Sequence, residues 1–377
     1  MLLKKLRILV VDDTIVYRKA VSDILAEIPG VEVVGIAHNG KIAMSKIAAL
    51  KPDLLTLDIE MPEMNGLEVL AELQKSHPAV GAIMLSTLTA DGSEMTMKAL
   101  ELGAFDFILK PQNSANQLEG KNQIKEALLP ILEAFRNSHN ATSFLGTKGV
   151  FTRPRTALPE KATGVPLRPQ ATTGTSSTAR TSVRRGKSEI VTIGISTGGP
   201  NALSQMLPLL PGDLGVPVVI VQHMPPVFTK SLAASLNAKC ALTVKEAEEA
   251  ETIQPNTVYI APGGKQMKLA ASPDGKNRII RITNDPPENS CRPSADYLFR
   301  SVGDYYVGRT TAVIMTGMGS DGTKGLQLLK QKGALIIAQD EATCVVYGMP
   351  KAPIQQGLTD IIAPLNKIAA EITKSVR

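Results

Sequence analysis

Two doubly wound α/β domains in one chain, each built on a mainly parallel sheet, are the fold class that the sequence predicts. Three observations carry it. Short β-branched runs alternate with helix-period stretches in both halves; 377 residues exceed what one ordinary core holds; and the alternation stops between 137 and 188, then resumes. The expected division is therefore 1–136, a connector at 137–188, and 189–377.

In the first half the apolar runs at 8–11, 31–36, 54–57, 82–85 and 105–108 read as strands. Ile24, Leu25 and Ile28, then Leu67, Leu70 and Leu73, recur at the three- and four-residue intervals of one buried helical face. Gly30, Gly103, Pro52 and Pro78 mark where elements end. From 137 to 188 the chain turns to Thr, Ser, Pro, Gly and Arg, with too few large apolar groups to offset the entropy of ordering, so a flexible linker is expected. Beyond it, strands are expected at 191–195, 216–221, 257–260, 311–315 and 334–338. Several are continuous apolar runs, as suits strands covered on both faces.

The formal charge of +6 does not describe either folded half. The connector holds nine Lys or Arg against one acid, Glu160, which leaves the remainder slightly acidic. Aromatics are 3% with no Trp, so a base-stacking platform is absent and no nucleic-acid partner is expected. Cys240, Cys291 and Cys344 show neither a paired spacing nor zinc-ligand spacing, which suggests reduced thiols in a cytoplasmic protein. The apolar opening stops at Asp12 and Asp13 with no cleavage site, and no run of about 18 apolar residues follows, so neither a signal peptide nor membrane insertion is expected.

Asp12 and Asp13 end the first expected strand and Asp58 the third. Strand ends on the carboxyl side of an open parallel sheet form its ligand crevice, so these acids can converge. Clustered carboxylates repel unless a cation neutralises them, and Mg²⁺ suits an all-oxygen site. Asp58 would then be a carboxylate nucleophile toward a phosphoryl group. Ser86 at the fourth strand end and Lys110 after the fifth add a hydroxyl and a cation; a cis bond between Lys110 and Pro111 would aim the ammonium inward. Over residues 6–132 this set resembles the receiver domain of bacterial two-component response regulators, a flavodoxin-like fold. The resemblance implies Asp58 as phosphoacceptor, Asp12 and Asp13 with Asp58 as Mg²⁺ ligands, Ser86 as switch hydroxyl, Phe107 as switch aromatic and Lys110 as phosphate-binding lysine.

In the second half, Gly194-Ile-Ser-Thr-Gly-Gly199 sets one hydroxyl, Ser196, on a glycine-lined turn after an apolar strand. It fits the G-x-S-x-G elbow, whose strained turn exposes the serine. A dinucleotide loop fits less well, since Ser196 replaces its middle glycine and the next strand ends in Gln222-His223 instead of an acid. His223 is the only histidine of this half and stands at the same sheet edge as Ser196. With an ordinary pKa near 6.5 its neutral form would take and return the serine proton. Spacing alone leaves Asp321, in a second glycine-rich turn, level with Asp285, Asp296 and Asp340 as the acid.

Gly194-Ile-Ser-Thr-Gly-Gly-Pro200, Gln222-His-Met-Pro225, Phe228-Thr-Lys-Ser-Leu-Ala233, Tyr259-Ile-Ala-Pro-Gly-Gly264, Arg292-Pro-Ser294 and Gly317-Met-Gly-Ser-Asp-Gly322 together resemble the chemotaxis protein-glutamate methylesterase family. The resemblance runs from about 190 to 372. It implies Ser196 as nucleophile, His223 as general base and acid, Asp321 as the group orienting the imidazole, and backbone amides of Thr197 and Met318 as oxyanion donors. It further implies hydrolysis of glutamate methyl esters on chemoreceptors, deamidation of receptor glutamines, activation by a chemotaxis histidine kinase, and no cofactor for the esterase chemistry. Gln266 and Cys291 depart from the family, standing where histidine is expected, and the linker is long for it. A phospho-switched interaction module with a silent hydrolase site is the alternative; a DNA-binding regulator lacks a compact helix-turn-helix.

Overall fold

The computed structural model of the chain describes residues 5–111, 117–144 and 186–377. The first sheet comprises β1 (Leu6–Val11), β2 (Val31–Ala37), β3 (Leu54–Asp58), β4 (Gly81–Ser86) and β5 (Asp106–Leu109). Its order is β2-β1-β3-β4-β5, with every pair parallel. The connecting helices are α1 (Ile15–Ala26), α2 (Gly40–Leu50), α3 (Gly66–Ser76) and α4 (Ala90–Glu101), and α5 (Gln117–Phe144) follows β5. Local chemistry starts three of them: Asn39 caps α2, Asn65 and Glu68 form a reciprocal capping box on α3, and Thr89 caps α4.

Two expectations change here. β5 begins one residue later than read from sequence, which sets Lys110 immediately beyond it. The Lys110–Pro111 bond is trans; among the described residues only Arg292–Pro293 is cis. The end of β5 and the backbone bond from Lys110 N to Ser86 O suffice to bring the ammonium in, without a cis turn. The linker expected over 137–188 begins within the last turns of α5, and its 145–185 portion lies outside the described residues.

The second sheet has seven strands in the order β14-β13-β12-β6-β7-β9-β8, all parallel. These are β6 (Ile190–Ile195), β7 (Val218–Gln222), β8 (Thr243–Glu246), β9 (Thr257–Ile260), β12 (Thr310–Ile314), β13 (Leu335–Gln339) and β14 (Ile361–Ala363). β10 (Gln266–Ala271) and β11 (Arg278–Thr283) form a separate antiparallel hairpin. Helices α6 (Gly199–Met206), α7 (Phe228–Asn237), α8 (Ala295–Tyr305), α9 (Thr323–Gln331), α10 (Lys351–Gln355) and α11 (Leu365–Val376) complete the unit. Every residue of β6, β7 and β12 is buried, which accounts for their largely apolar sequences.

The two units touch through α4, β5 and α7. Phe107 of β5 stacks on Phe228 of α7, with centroids 4.7 Å apart and planes at 20°. Ser93 Oγ lies 2.6 Å from Ser231 Oγ, and Glu101 accepts from Lys239 at 2.6 Å and from Ser235. No described helix is long and apolar enough to cross a membrane.

Candidate active site and phosphoacceptor pocket

The strand order sets β12, β6 and β7 side by side, so the turns after them meet at one carboxyl edge. Ser196 follows β6, His223 follows β7 and Asp321 follows β12. The turn at Ser196 closes through Gly198, whose φ is +74° and where a Cβ would sit 2.6 Å from Val345. Gly317 approaches so closely that its Cβ would lie 2.7 Å from Ser196 Cβ. Ser196 itself is not among the residues with positive φ, so the strained serine of the G-x-S-x-G elbow is not adopted; glycine at 198 takes the left-handed conformation instead.

His223 and Asp321 are brought into direct contact, Nε2 to Oδ2 at 2.8 Å. Asp321 also accepts from Ala295 N (2.6 Å), Ser294 Oγ (2.8 Å) and Asn289 Nδ2 (2.8 Å). Burial alone would raise its carboxyl, but the hydrogen bond and charge of His223, then Ala295 N and Ser294, hold it at about 2. Asp296 braces the same network, accepting from Asn289 Nδ2 (2.9 Å) and Gly325 N (2.6 Å). Of the other acids left open by spacing, Asp285 pairs with Tyr297 and Asp340 caps the turn at Thr343.

Because Nε2 is engaged by Asp321, Nδ1 is the ring nitrogen left for proton transfer. Its contact is Cys291 Sγ at 3.6 Å. Ser196 hydrogen-bonds through its backbone, N to Thr316 O (3.0 Å) and O from Gly199 N (2.7 Å) and Gln222 Nε2 (3.0 Å); its hydroxyl is not bonded to the imidazole. The N–H groups of Thr197 and Met318 have no acceptor among the described residues. Burial works to lower the His223 pKa, but hydrogen bonds to Asp321 and Cys291 and their charges raise it to about 9.

The first unit lies against this edge. A cavity of about 460 Å³ is lined by Thr197, His223 and Pro225 on one side and by Asp106, Phe107 and Ile131 on the other. Thr197 and Asp106 line this cavity together, and burial, opposed first by Phe107 N and then by Thr197, raises the Asp106 carboxyl to about 6. Sequence reasoning missed Asp106, Asn289, Ser294 and Phe228. Phe228 and Ser294 stood only inside motifs quoted for the resemblance, without a role, because the residues they act on, Phe107 and Asp321, are far away in sequence.

At the edge of the first sheet, Asp12, Asp13 and Asp58 each offer an oxygen within 4.8 Å of the others. Lys110 Nζ sits 2.9 Å from Asp12 Oδ2 and 2.7 Å from Asp58 Oδ2. An all-carboxylate set at this spacing fits a hard, oxygen-preferring cation of the Mg²⁺ kind. Burial raises Asp58 and Lys110 opposes it, leaving the carboxyl at about 6. Ser86 Oγ accepts from Thr96 Oγ1 at 2.7 Å and lies 3.3 Å from Gly92 O as donor, both on α4. The pocket bounded by Asp13, Asp58, Ser86 and Lys110 measures about 560 Å³.

Residues 191–372 match the family CheB methylesterase, and residues 8–120 match the response regulator receiver domain. The chain is 61% identical over 379 residues to a protein-glutamate methylesterase/protein-glutamine glutaminase of Desulfotalea psychrophila, covering 100% of each. A protein of the same name from Bacillus subtilis is 43% identical over 375 residues, 99% of each chain. The crystal structure of the Thermotoga maritima CheB methylesterase catalytic domain is 44% identical, covers 50% of this chain and 99% of that one, and has a TM-score of 0.48.

Proposed function

The chain belongs to the CheB methylesterase family, with a receiver domain in front of the catalytic part, and from that premise we propose that it is a phosphorylation-activated protein-glutamate methylesterase and protein-glutamine glutaminase acting on chemoreceptors. The observation that carries this reading is the meeting of three strand-end turns, with the His223 imidazole held on Asp321 at 2.8 Å beside the turn of Ser196.

In this reading His223 Nδ1 takes the Ser196 proton as Oγ adds to the γ-carbonyl of a glutamate methyl ester. The oxyanion is received by the free N–H groups of Thr197 and Met318. Collapse breaks the C–OCH₃ bond, the imidazolium returns the proton, and methanol leaves. Water, deprotonated by the same nitrogen, then releases the glutamate carboxylate and restores Ser196. A glutamine side chain follows the same course with ammonia leaving.

The receiver supplies the control. Asp106, Phe107 and Ile131 cover the crevice, so substrate entry needs the two units to part. Asp12, Asp13 and Asp58 would hold Mg²⁺, which supplies charge neutralisation for the incoming phosphoryl group. Phosphorylation of Asp58 by a histidine kinase would draw Ser86 off Thr96 and Gly92, loosening α4 and, through Phe107, the stack on Phe228. We place the working divisions at 1–136, 137–188 and 189–377.

The test is methanol release from methylated chemoreceptor membranes. Ser196→Ala should lower turnover by roughly 10³-fold or more while the protein remains folded. Turnover unchanged in that variant would favour the silent-site module instead.

A further inference from the structure

We propose that Cys291 Sγ and His223 Nδ1 together form a binding site for a thiophilic divalent cation of the Zn²⁺ class, and that the bound ion silences the esterase. The proposal rests on the reading of His223 as the catalytic base, because the ion occupies the lone pair that the reaction needs.

Spacing is the first argument. A tetrahedral ion with bonds of about 2.0 Å to nitrogen and about 2.3 Å to sulfur sets those two donors about 3.5 Å apart. Cys291 Sγ and His223 Nδ1 stand 3.6 Å apart. That is also the separation of a weak hydrogen bond, so tautomer and support must decide. Asp321 Oδ2 accepts from Nε2–H, so in the neutral ring Nδ1 carries the lone pair on the side of the thiol. A histidine that donates its far nitrogen to a carboxylate is the usual support for a metal-binding imidazole. Asp321 is itself fixed by Ser294, Ala295 and Asn289, so the ring is already oriented.

Chemical hardness is the second argument. Among the described residues two clusters could hold an ion, and they differ in kind. Asp12, Asp13 and Asp58 offer oxygen alone, which suits Mg²⁺. His223, Cys291 and Asp321 offer sulfur and imidazole nitrogen, which suit Zn²⁺ and softer ions. Cys240 and Cys344 belong to no such cluster among the described residues. Access is open from the cavity that His223 lines, and Cys291 is half-buried. On binding, the thiol proton and the Nδ1 proton that the ring carries below about pH 9 leave to solvent, S–metal and N–metal bonds form, and water or a substrate carboxylate completes the coordination. One cation would then switch the receiver on and another switch the esterase off.

The test uses the full chain in excess Mg²⁺, with Cd²⁺ as the spectroscopic probe and Zn²⁺ as the inhibitor. A sulfur-to-metal absorption band should grow with Cd²⁺ and vanish in Cys291→Ser. It should persist in Cys240→Ser/Cys344→Ser, which keeps Cys291 as the remaining thiol. Zn²⁺ should stop methyl-ester hydrolysis reversibly, and Cys291→Ser should raise the Zn²⁺ needed by about 10- to 100-fold. A band that survives Cys291→Ser, or is lost in the double variant, overturns the proposal, as does equal inhibition of wild type and Cys291→Ser. The band reports binding without turnover, so an inactive enzyme that still shows it would count against the functional reading alone.

Discussion

At the scale of single residues, the site depends on how firmly the Asp321 carboxylate is fixed. Its oxygens accept from five groups, four of which hold it while the fifth, His223 Nε2, is the one it orients. Asn289 also ties it to Asp296, so Asn289→Ala should loosen the imidazole without touching substrate. We expect kcat to fall about tenfold, the effect of about 1.4 kcal/mol on the barrier, with KM little changed. A change confined to KM would place Asn289 in substrate binding instead. The second residue-scale consequence concerns pH. Burial favours neutral His223, yet Asp321 and Cys291 win and raise it to about 9, so below that pH the ring is an imidazolium and cannot act as base. Ester hydrolysis by the unphosphorylated chain should therefore climb with pH up to about 9, and Cys291→Ala should move that limb down toward the ordinary value near 6.5. A wild-type limb already near 6.5 would contradict the assignment. Of these partners only Asp321 entered the sequence reading, through the resemblance and not through spacing; they stand 98 and 68 positions away, and only folding brings them to the ring.

At the scale of elements, what was legible in sequence depended on burial. β3, β6, β7 and β12 are covered on both faces, so their sequences are mostly apolar, and that announces them. β8 is a half-exposed edge strand of sequence Thr-Val-Lys-Glu, and β14 has three residues; neither carries enough apolar signal to be read. The hairpin of β10 and β11 mixes buried and partly exposed positions outside the main sheet, and was missed for the same reason. The contact of α4 with α7 was illegible for another reason: Glu101 and Lys239 look like ordinary surface charges until the two helices are side by side. Their ion pair is over a third exposed on either side of the contact, at 34% and 37%, so it is worth about 0.2–1 kcal/mol at most. Glu101→Lys should accordingly raise basal hydrolysis by up to about fivefold through weaker covering of the crevice. Adding Lys239→Glu should restore it, read as methanol release at low salt. If the single and double variants are equally active, the pair does not hold the units together.

At the scale of the whole molecule, the question is how a phosphoryl group at one sheet edge frees a crevice at another. Ser86 hydrogen-bonds to α4, α4 carries Ser93 and Glu101 against α7, and Phe107 on the next strand stacks on Phe228 at the head of α7. A shift of Ser86 therefore reaches every described polar contact between α4 and α7, and phosphorylation needs only to bias an existing opening. A tenfold gain in activity corresponds to about 1.4 kcal/mol of bias, close to the sum of contacts of this size. The chemistry that starts it has its own pH signature. In the proposed reading Asp58 attacks phosphorus as a carboxylate, but burial, only partly offset by Lys110, leaves its pKa at about 6. With a small phosphodonor, phosphorylation should hold steady above that pH and fall about tenfold per unit below it, as the carboxyl takes up its proton. Mg²⁺ beside Asp12 and Asp13 should shift the fall to lower pH, because a cation favours the ionised form. Chelation by EDTA should abolish stimulation of methanol release while leaving basal hydrolysis in place, and Asp58→Asn should do the same at every pH. Stimulation that survives both would separate the phosphoacceptor pocket from control of the crevice.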